Sequence, residues 1–328
     1  MPARTLTVTI ERWPITGGFT ISRGSRTEAV VVVATLAEGP WRGQGECVPY
    51  ARYGESVEGV ATAIEAMAPL LAAGATRQDL LTLMPGGAAR NALDAALWDL
   101  DSKKSGQRAW DLAGLPAPGP TTTAFTLSLG TPDSMRLAAE RAADRPLLKI
   151  KLGGDGDAQR IKAVRLGAPA ATLIADANEA WTPHNFTVNL AACETAGVEL
   201  IEQPLPAGQD GVLADIQSSI VFCADESFHD RASLPAVSGL YGAVNIKLDK
   251  TGGLTEALAV AAEAKAAGLD IMVGCMLGTS LAMAPAFLLT PLARFVDLDG
   301  PLLLTRDREP GIPFDGSLMR PFGAETWG

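Results

Sequence analysis

The feature that most limits what this chain can become is a recurrence. Short apolar runs appear at 123–127, 147–151, 172–176, 198–202, 220–225, 243–247, 270–274 and 293–297, and their ends are spaced 22 to 27 residues apart. Ala- and Leu-rich stretches such as 158–167 and 254–268 lie between them. Each run has the length of a buried strand, and each spacer has room for a helix. Strands alternating with helices at this period wind into a parallel sheet with right-handed crossovers, and eight of them close a barrel. After the last run comes a Pro- and Gly-rich tail, 306–328, in place of a helix. The expected architecture is α/β, a (β/α)7β barrel of the TIM type.

The N-terminal third has a different texture. Alternating segments at 4–13, 28–36 and 43–48 predict strands, and 56–74, 77–83 and 88–104 predict helices. Strands followed by helices make a separate α+β unit. A Gly- and Ser-rich loop over 17–26 carries Arg23 and Arg26, and a second polar loop spans 49–54. The run Pro116-Ala-Pro-Gly-Pro120 reads as a linker. The expected division is therefore a capping domain over 1–115 carrying specificity loops, a barrel over 116–305 carrying the catalytic site, and a segment, 306–328, returning to the cap.

Composition narrows the chemistry. Net charge is −10 with no basic run, which disfavours nucleic acid and anionic membrane surfaces as partners. No stretch reaches the ~20 apolar residues of a membrane span, and Glu11 and Arg12 interrupt any signal-peptide core, so a cytoplasmic protein is expected. Cys47, Cys193, Cys223 and Cys275 form no close pair and read as free thiols. His184 and His229 are the only histidines, and they read as surface or helix-start residues. Acid–base work must then fall to lysine and carboxylate. Oligomeric state is left open, a homo-oligomer included.

Five of the runs end in charge: Lys151, Asp176, Glu202, Asp225 and Lys247; the eighth ends in Asp297, with Asp299 two residues on. Barrel active sites are built at the C-terminal strand ends. Helix N-caps would account for an isolated Asp, but not for a Glu and two lysines at matching positions. Asp176, Glu202 and Asp225 fall on neighbouring strands and repel one another unless a cation lies between them; oxygen-only ligands suit magnesium. Lys151 and Lys247, on strands two and six, face each other across the mouth, an arrangement for removing a proton from one face of a carbon and returning it to the other. Lys149 shares a strand face with Lys151. Repulsion and burial predict that at least one of this pair has a depressed pKa.

Together the motifs Lys149-Ile-Lys151, Asp176-Ala-Asn178, Glu202-Gln203-Pro204, Ala224-Asp225-Glu226-Ser227 and Asn245-Ile-Lys247 resemble those of the enolase superfamily, in its muconate-lactonizing subgroup. Gly274-Cys275-Met276 and Asp297-Leu298-Asp299-Gly300-Pro301 bring the chain nearer to the dipeptide epimerases that act on L-Ala-D/L-Glu in murein peptide recycling. The resemblance spans nearly the whole chain. It implies one Mg2+ per subunit on Asp176, Glu202 and Asp225, Lys151 and Lys247 as acid/bases, and 1,1-proton transfer through a metal-stabilised enediolate. It also implies Lys149 against the substrate carboxylate, Cys275 and Met276 in the substrate pocket, and Asp297 with Asp299 on the dipeptide ammonium. Arg23 or Arg26 would meet the glutamate side chain. Asn178 and Asp249 read as supporting partners or as loop polars, and Glu226 as facing away from the site.

Three rivals stay open at this point. The first is N-acylamino acid racemisation, cycloisomerisation or o-succinylbenzoate synthesis on the same scaffold. The others are a metal-free Schiff-base lyase and a barrel that only binds ligands.

Overall fold

In a computed structural model, residues 4–328 are described, so the first three positions of the expected capping unit lie outside it. Three antiparallel strands, Thr5–Ile21, Gly24–Glu38 and Trp41–Cys47, form the cap sheet in sequence order. Alternation along the central strand decides what each face covers. Val32, Ala34 and Leu36 pack with Ile64, Leu80, Leu93 and Leu97 of the cap helices. Val31 and Val33 point the other way, into the cluster shared with the barrel. The sheet is thus a layer between its own helices and the barrel.

Two expectations for the cap need correction. The 17–26 segment is mostly hairpin, not loop: Phe19 pairs with Arg26, Thr20 with Ser25 and Ile21 with Gly24, beyond an irregularity between Pro14 and Phe19. Gly17 and Gly18 (φ 70° and 80°) let the strand kink there, the use of glycine at a bulge. The single helix expected over 56–74 is broken into Val57–Glu65 and Ala68–Ala72, because Pro69 lacks the amide a continuous helix needs and instead begins a new one.

Eight parallel strands build the barrel: Phe125–Leu127, Leu147–Lys151, Thr172–Asp176, Val198–Glu202, Val221–Ala224, Ala243–Ile246, Asp270–Gly274 and Phe295–Asp297. Backbone bonding nearly closes the ring between the eighth and the first, where the Ala124 amide donates to the Val296 carbonyl at 2.8 Å. Helices Pro132–Arg141, Asp157–Gly167, Phe186–Ala196, Leu254–Ala266 and Ser280–Phe287 wrap it. After the fourth and fifth strands the crossovers shrink to the turn Gly211–Asp215 and the short helix Leu234–Val237. The tail pairs with Thr121–Thr122 through a small hairpin, while the Trp327 indole donates to the carbonyls of Gln44 and Ala95 in the cap. No helix among the described residues is long and apolar enough to cross a membrane.

Cap and barrel are joined by buried polar contacts. Asp249, two residues beyond Lys247, accepts from the Val48 amide and from Asn91 Nδ2 at 3.2 and 2.8 Å. Glu46 accepts from the Thr279 amide and from Arg308.

Helix Ala88–Ser105 lies backbone-to-backbone on strand Trp41–Cys47, which explains the glycines at 43 and 45. A Cβ on Gly45 would strike the Ala92 carbonyl oxygen and come within 2.7 Å of the Ala96 amide nitrogen. Neither backbone atom can rotate away. Gly45→Ala is expected to cost about 3 kcal/mol or more by overpacking, seen as a lowered urea midpoint. Gly119→Ala, where nothing lies within 4 Å, serves as the control and should stay within about 1 kcal/mol of wild type.

Candidate active site

The site is the barrel interior read in steps of two. One apolar residue from each strand or, for the first, from just before it (Ala124, Leu147, Ile174, Leu200, Cys223, Ala243, Met272, Phe295) fills a buried layer. Side chains alternate faces, so the residue two positions further along each strand points into the same interior, one layer nearer the C-terminal mouth. Those residues are Thr126, Lys149, Ile174's successor Asp176, Glu202, Asp225, Asn245, Gly274 and Asp297. A third step adds Lys151, Lys247 and Asp299. At the seventh position a Cβ on Gly274 would fall within 2.8 Å of Asn245 Nδ2, so glycine there leaves room for that amide.

All of these charged side chains are buried, and all but Asp299 are ion-paired. Lys151 Nζ lies 2.5 Å from Asp176 Oδ2, and Lys247 Nζ lies 2.7 Å from Asp225 Oδ2 and 3.5 Å from Glu202 Oε1. Lys149 Nζ contacts Glu202 Oε2 and Asp297 Oδ2 at 2.6 Å and Asp176 Oδ2 at 3.2 Å. Strands two and six stand four places apart in the ring, so Lys151 and Lys247 approach from opposite sides.

The electrostatics follow from that pairing. Burial pulls the Lys149 pKa down, but Asp297, Glu202 and Asp176 outweigh it and hold the group well above the ordinary lysine value. Lys247 is raised in the same way by Asp225 and Glu202 against its burial. The expected depression is therefore wrong for Lys149: like charges on one strand face do not dominate when a carboxylate lies against each. Burial raises the Asp225 carboxyl, but Lys247 and Lys250 push it well below the usual range, and Asp176 is lowered likewise by Lys151 and Lys149. Glu202 is raised, first by burial and then by Asp176.

Among the described residues, no three acid, His or Cys donors stand together at ion-binding distance, because ammonium groups lie between the carboxylates. The donor set nonetheless suits a hard cation. Asp176, Glu202 and Asp225 offer only oxygens, all buried, and Glu202 Oε2 meets Lys149 without an aligned hydrogen bond. Lys149 and Lys151 lie against Asp176, Lys149 and Lys247 against Glu202, and Lys247 and Lys250 against Asp225, so these oxygens already face positive charge. An ion entering here would displace ammonium groups from these oxygens.

A cavity of about 460 Å³ opens above the lysines, lined by Lys149, Lys151, Lys247 and Asp225 below, Cys275, Met276, Asp297 and Asp299 on one wall, and Phe19, Ile21, Arg23 and Arg26 from the cap hairpin above. Asp299 Oδ2 accepts from the Thr126 amide at 2.6 Å, and burial followed by the Asp297 charge raises this carboxyl to about 7. Asp297 Oδ1 is buried without a hydrogen-bond donor.

The two arginines left open by the sequence part company. Arg23 is engaged: it donates to Glu226 Oε1 at 2.7 Å, Tyr50 Oη at 2.8 Å and the Asn178 carbonyl at 3.0 Å. Arg26 is exposed on the cavity rim, over the Tyr50 ring and without an ion pair among the described residues. Glu226 does not face away as expected. The fifth strand ends at Ala224, freeing the next residues to turn to the mouth, where burial and then Asp225 and Asp176 raise Glu226 to about 7. Asn178 is a supporting partner whose amide donates to Asp176 Oδ1 at 2.9 Å. His184 is exposed, and His229 packs edge-on against Tyr53.

Two residues went unassigned from sequence. Lys250, one helical turn past Lys247, places Nζ 2.5 Å from Asp225 Oδ1. Asn245 donates to Glu202 Oε1 at 2.8 Å. The step of two back from Lys247 could have found Asn245, whereas Lys250 reaches the site through the short helix Leu248–Thr251, which the sequence did not signal.

Residues 134–305 match the enolase C-terminal domain-like family, and residues 3–114 the N-terminal domain of the mandelate racemase/muconate lactonizing enzymes. The chain is 48% identical to the L-Ala-D/L-Glu epimerase of Escherichia coli K12, over 95% of this chain and 98% of that one. It is 43% identical to an N-acetyl-D-glutamate racemase from Pseudoalteromonas, over 91% and 95%. A crystal structure of an enolase family member from Agrobacterium tumefaciens, with homology to dipeptide epimerases and with bound sodium and L-Ala-L-Glu, superposes with a TM-score of 0.97 at 54% identity, covering 99% of this chain and all of that one. With both domains matched and the lysine and acid layers stacked in one barrel mouth, the chain belongs to the mandelate racemase/muconate lactonizing enzyme family of the enolase superfamily.

Proposed function

We propose that this protein is an isomerase, an epimerase of L-Ala-D/L-Glu-type dipeptides that moves the α-proton of the C-terminal residue. The observation that carries the reading is the pair of buried lysines entering from opposite sides above a floor of acids. A substrate α-carbon between them would lose its proton to one amine and receive one from the other on the opposite face. Lys151 and Lys247 take these roles, and Lys149 holds the substrate carboxylate. A divalent magnesium ion on Asp176, Glu202 and Asp225 would stabilise the second negative charge that builds on that carboxylate as the proton leaves, in line with superfamily chemistry. Asp297 and Asp299 receive the dipeptide ammonium, for which the donorless Asp297 Oδ1 offers a ready acceptor. The cap hairpin covers the cavity and excludes water.

The side chain of the epimerised glutamate needs a cation. Arg23 is committed to Glu226, so Arg26 takes this role, with Cys275 and Met276 packing beside the substrate. The Escherichia coli relative, an L-Ala-D/L-Glu epimerase, supports the proposed reaction. The Pseudoalteromonas relative supports a second reading, racemisation of an N-acylated glutamate, which has no ammonium to offer Asp297. The metal-free lyase and the purely ligand-binding barrel account for neither the paired lysines nor the acid floor.

In heavy water with magnesium, L-Ala-L-Glu should acquire deuterium at the glutamate α-carbon and yield the D-epimer, and a chelator should stop both until magnesium is restored. Lys151→Ala and Lys247→Ala should each slow epimerisation by about 10²-fold or more. Absence of deuterium uptake into any dipeptide with magnesium present would sink the proposal, and faster turnover of N-acetylglutamate than of the dipeptide would favour the second reading.

Arg26→Met should lower kcat/KM for L-Ala-L-Glu by about 10- to 100-fold, the worth of a charged hydrogen bond, while changing L-Ala-L-Leu by no more than about threefold. Equal losses on both substrates would remove Arg26 from the specificity role.

A further inference from the structure

Arg23 lies on the tip of the cap hairpin, yet its partners lie on three other segments. Its Nη2 donates to Glu226 Oε1 past the fifth barrel strand and to Tyr50 Oη of the second cap loop. Its Nη1 donates to the carbonyl of Asn178 at 3.0 Å and to Glu179 Oε2 at 3.3 Å, both past the third strand. Ser22, its neighbour, donates to the same Asn178 carbonyl at 3.0 Å, and Arg52 grips Glu179 with two bonds of 2.8 and 2.7 Å.

The receiving segment is built for this. Asn178 and Glu179 have φ of 44° and 67°, a left-handed backbone that non-glycine residues adopt at a cost. That conformation turns the Asn178 carbonyl and the Glu179 carboxylate up toward the cap. Glu226 is fixed from below by Asn178 Nδ2 at 3.4 Å. On the hairpin's other flank, the Thr20 amide donates to Ser128 Oγ at 2.7 Å and the Leu129 amide to the Thr20 carbonyl at 2.9 Å, past the first barrel strand.

We infer that Arg23, with Glu226 and the strained Asn178–Glu179 corner as its receiver, is a clamp that seats the cap hairpin on the barrel and so positions Phe19 and Arg26 over the substrate. Arg23 is a positioning residue: it touches no reacting atom, and its ion pair replaces the substrate contact considered for it from sequence. The inference deepens the proposed function and rests on it for its kinetic consequence alone. Seating of the hairpin is a property of the protein without substrate.

Two readouts test it on the full chain. In Arg23→Met, amide hydrogen–deuterium exchange across residues 17–28 should quicken by about tenfold or more while barrel segments keep their wild-type rates. For L-Ala-L-Glu, KM should rise by about tenfold or more with kcat within about threefold, and Arg23→Lys should recover part of the loss. Glu226→Gln should reproduce the exchange effect, and the double variant should be no worse than the poorer single one, since both act on one contact. Unchanged exchange in both single variants would overturn the clamp whatever the kinetics. If wild-type protein turns over no dipeptide, the proposed reaction fails while the exchange measurement still decides the clamp.

Discussion

Charge compensation inside a closed barrel is the constraint to which the rest of this structure answers. A carboxylate in a protein interior is costly unless a cation or several donors stand against it, and removing one partner from such a pair leaves the other exposed to the full penalty. Here Asp297 meets one lysine, and Asp176, Glu202 and Asp225 meet two each. No strand end can change its charge alone, because every ammonium is shared or has a neighbour that depends on it. The same mutual dependence gives the site its chemistry, since lysines that neutralise acids in this state can answer to substrate and ion in another.

The barrel makes that cluster affordable by layering. Its lower interior is filled with aliphatic and aromatic side chains, one per strand, so the polar layers above rest on a dry and rigid base. Above them the cap supplies a lid of mixed character, with Phe19 and Ile21 against the cavity and guanidinium groups at its edge. The polar groups therefore sit between two apolar surfaces, where their interactions are strong and water is scarce.

Much of this was legible in the residues because barrel strands are short, buried and periodic. Strands Leu147–Lys151, Thr172–Asp176, Val198–Glu202 and Asp270–Gly274 have the limits read from the sequence, and the charged ends mark the mouth. What sequence could not supply depends on how chain segments meet. The glycines of the cap hairpin read as loop residues because local composition does not reveal that the strands continue past them. The direction of Glu226 depends on a strand that stops one residue early, and the state of Lys149 on three acids from three other strands. Arg23 and Arg26 are alike in sequence terms, and the difference between them comes from the barrel loops beneath and from Tyr50 of the second cap loop.

Asp249 carries a consequence for how such proteins can be recombined. This buried acid, two residues beyond Lys247, draws its donors from Val48 and Asn91 of the cap. A barrel expressed alone would expose this acid to water and lose the two fixed donors that hold it, beside one of its two proposed bases. Chimeras that graft a foreign cap onto this barrel must therefore keep the backbone amide at 48 in place and a side-chain donor at 91, or replace 249 as well. Substrate preference and the proton-moving machinery are in this sense inherited together, and the shortest stretch that can be exchanged cleanly is larger than either domain.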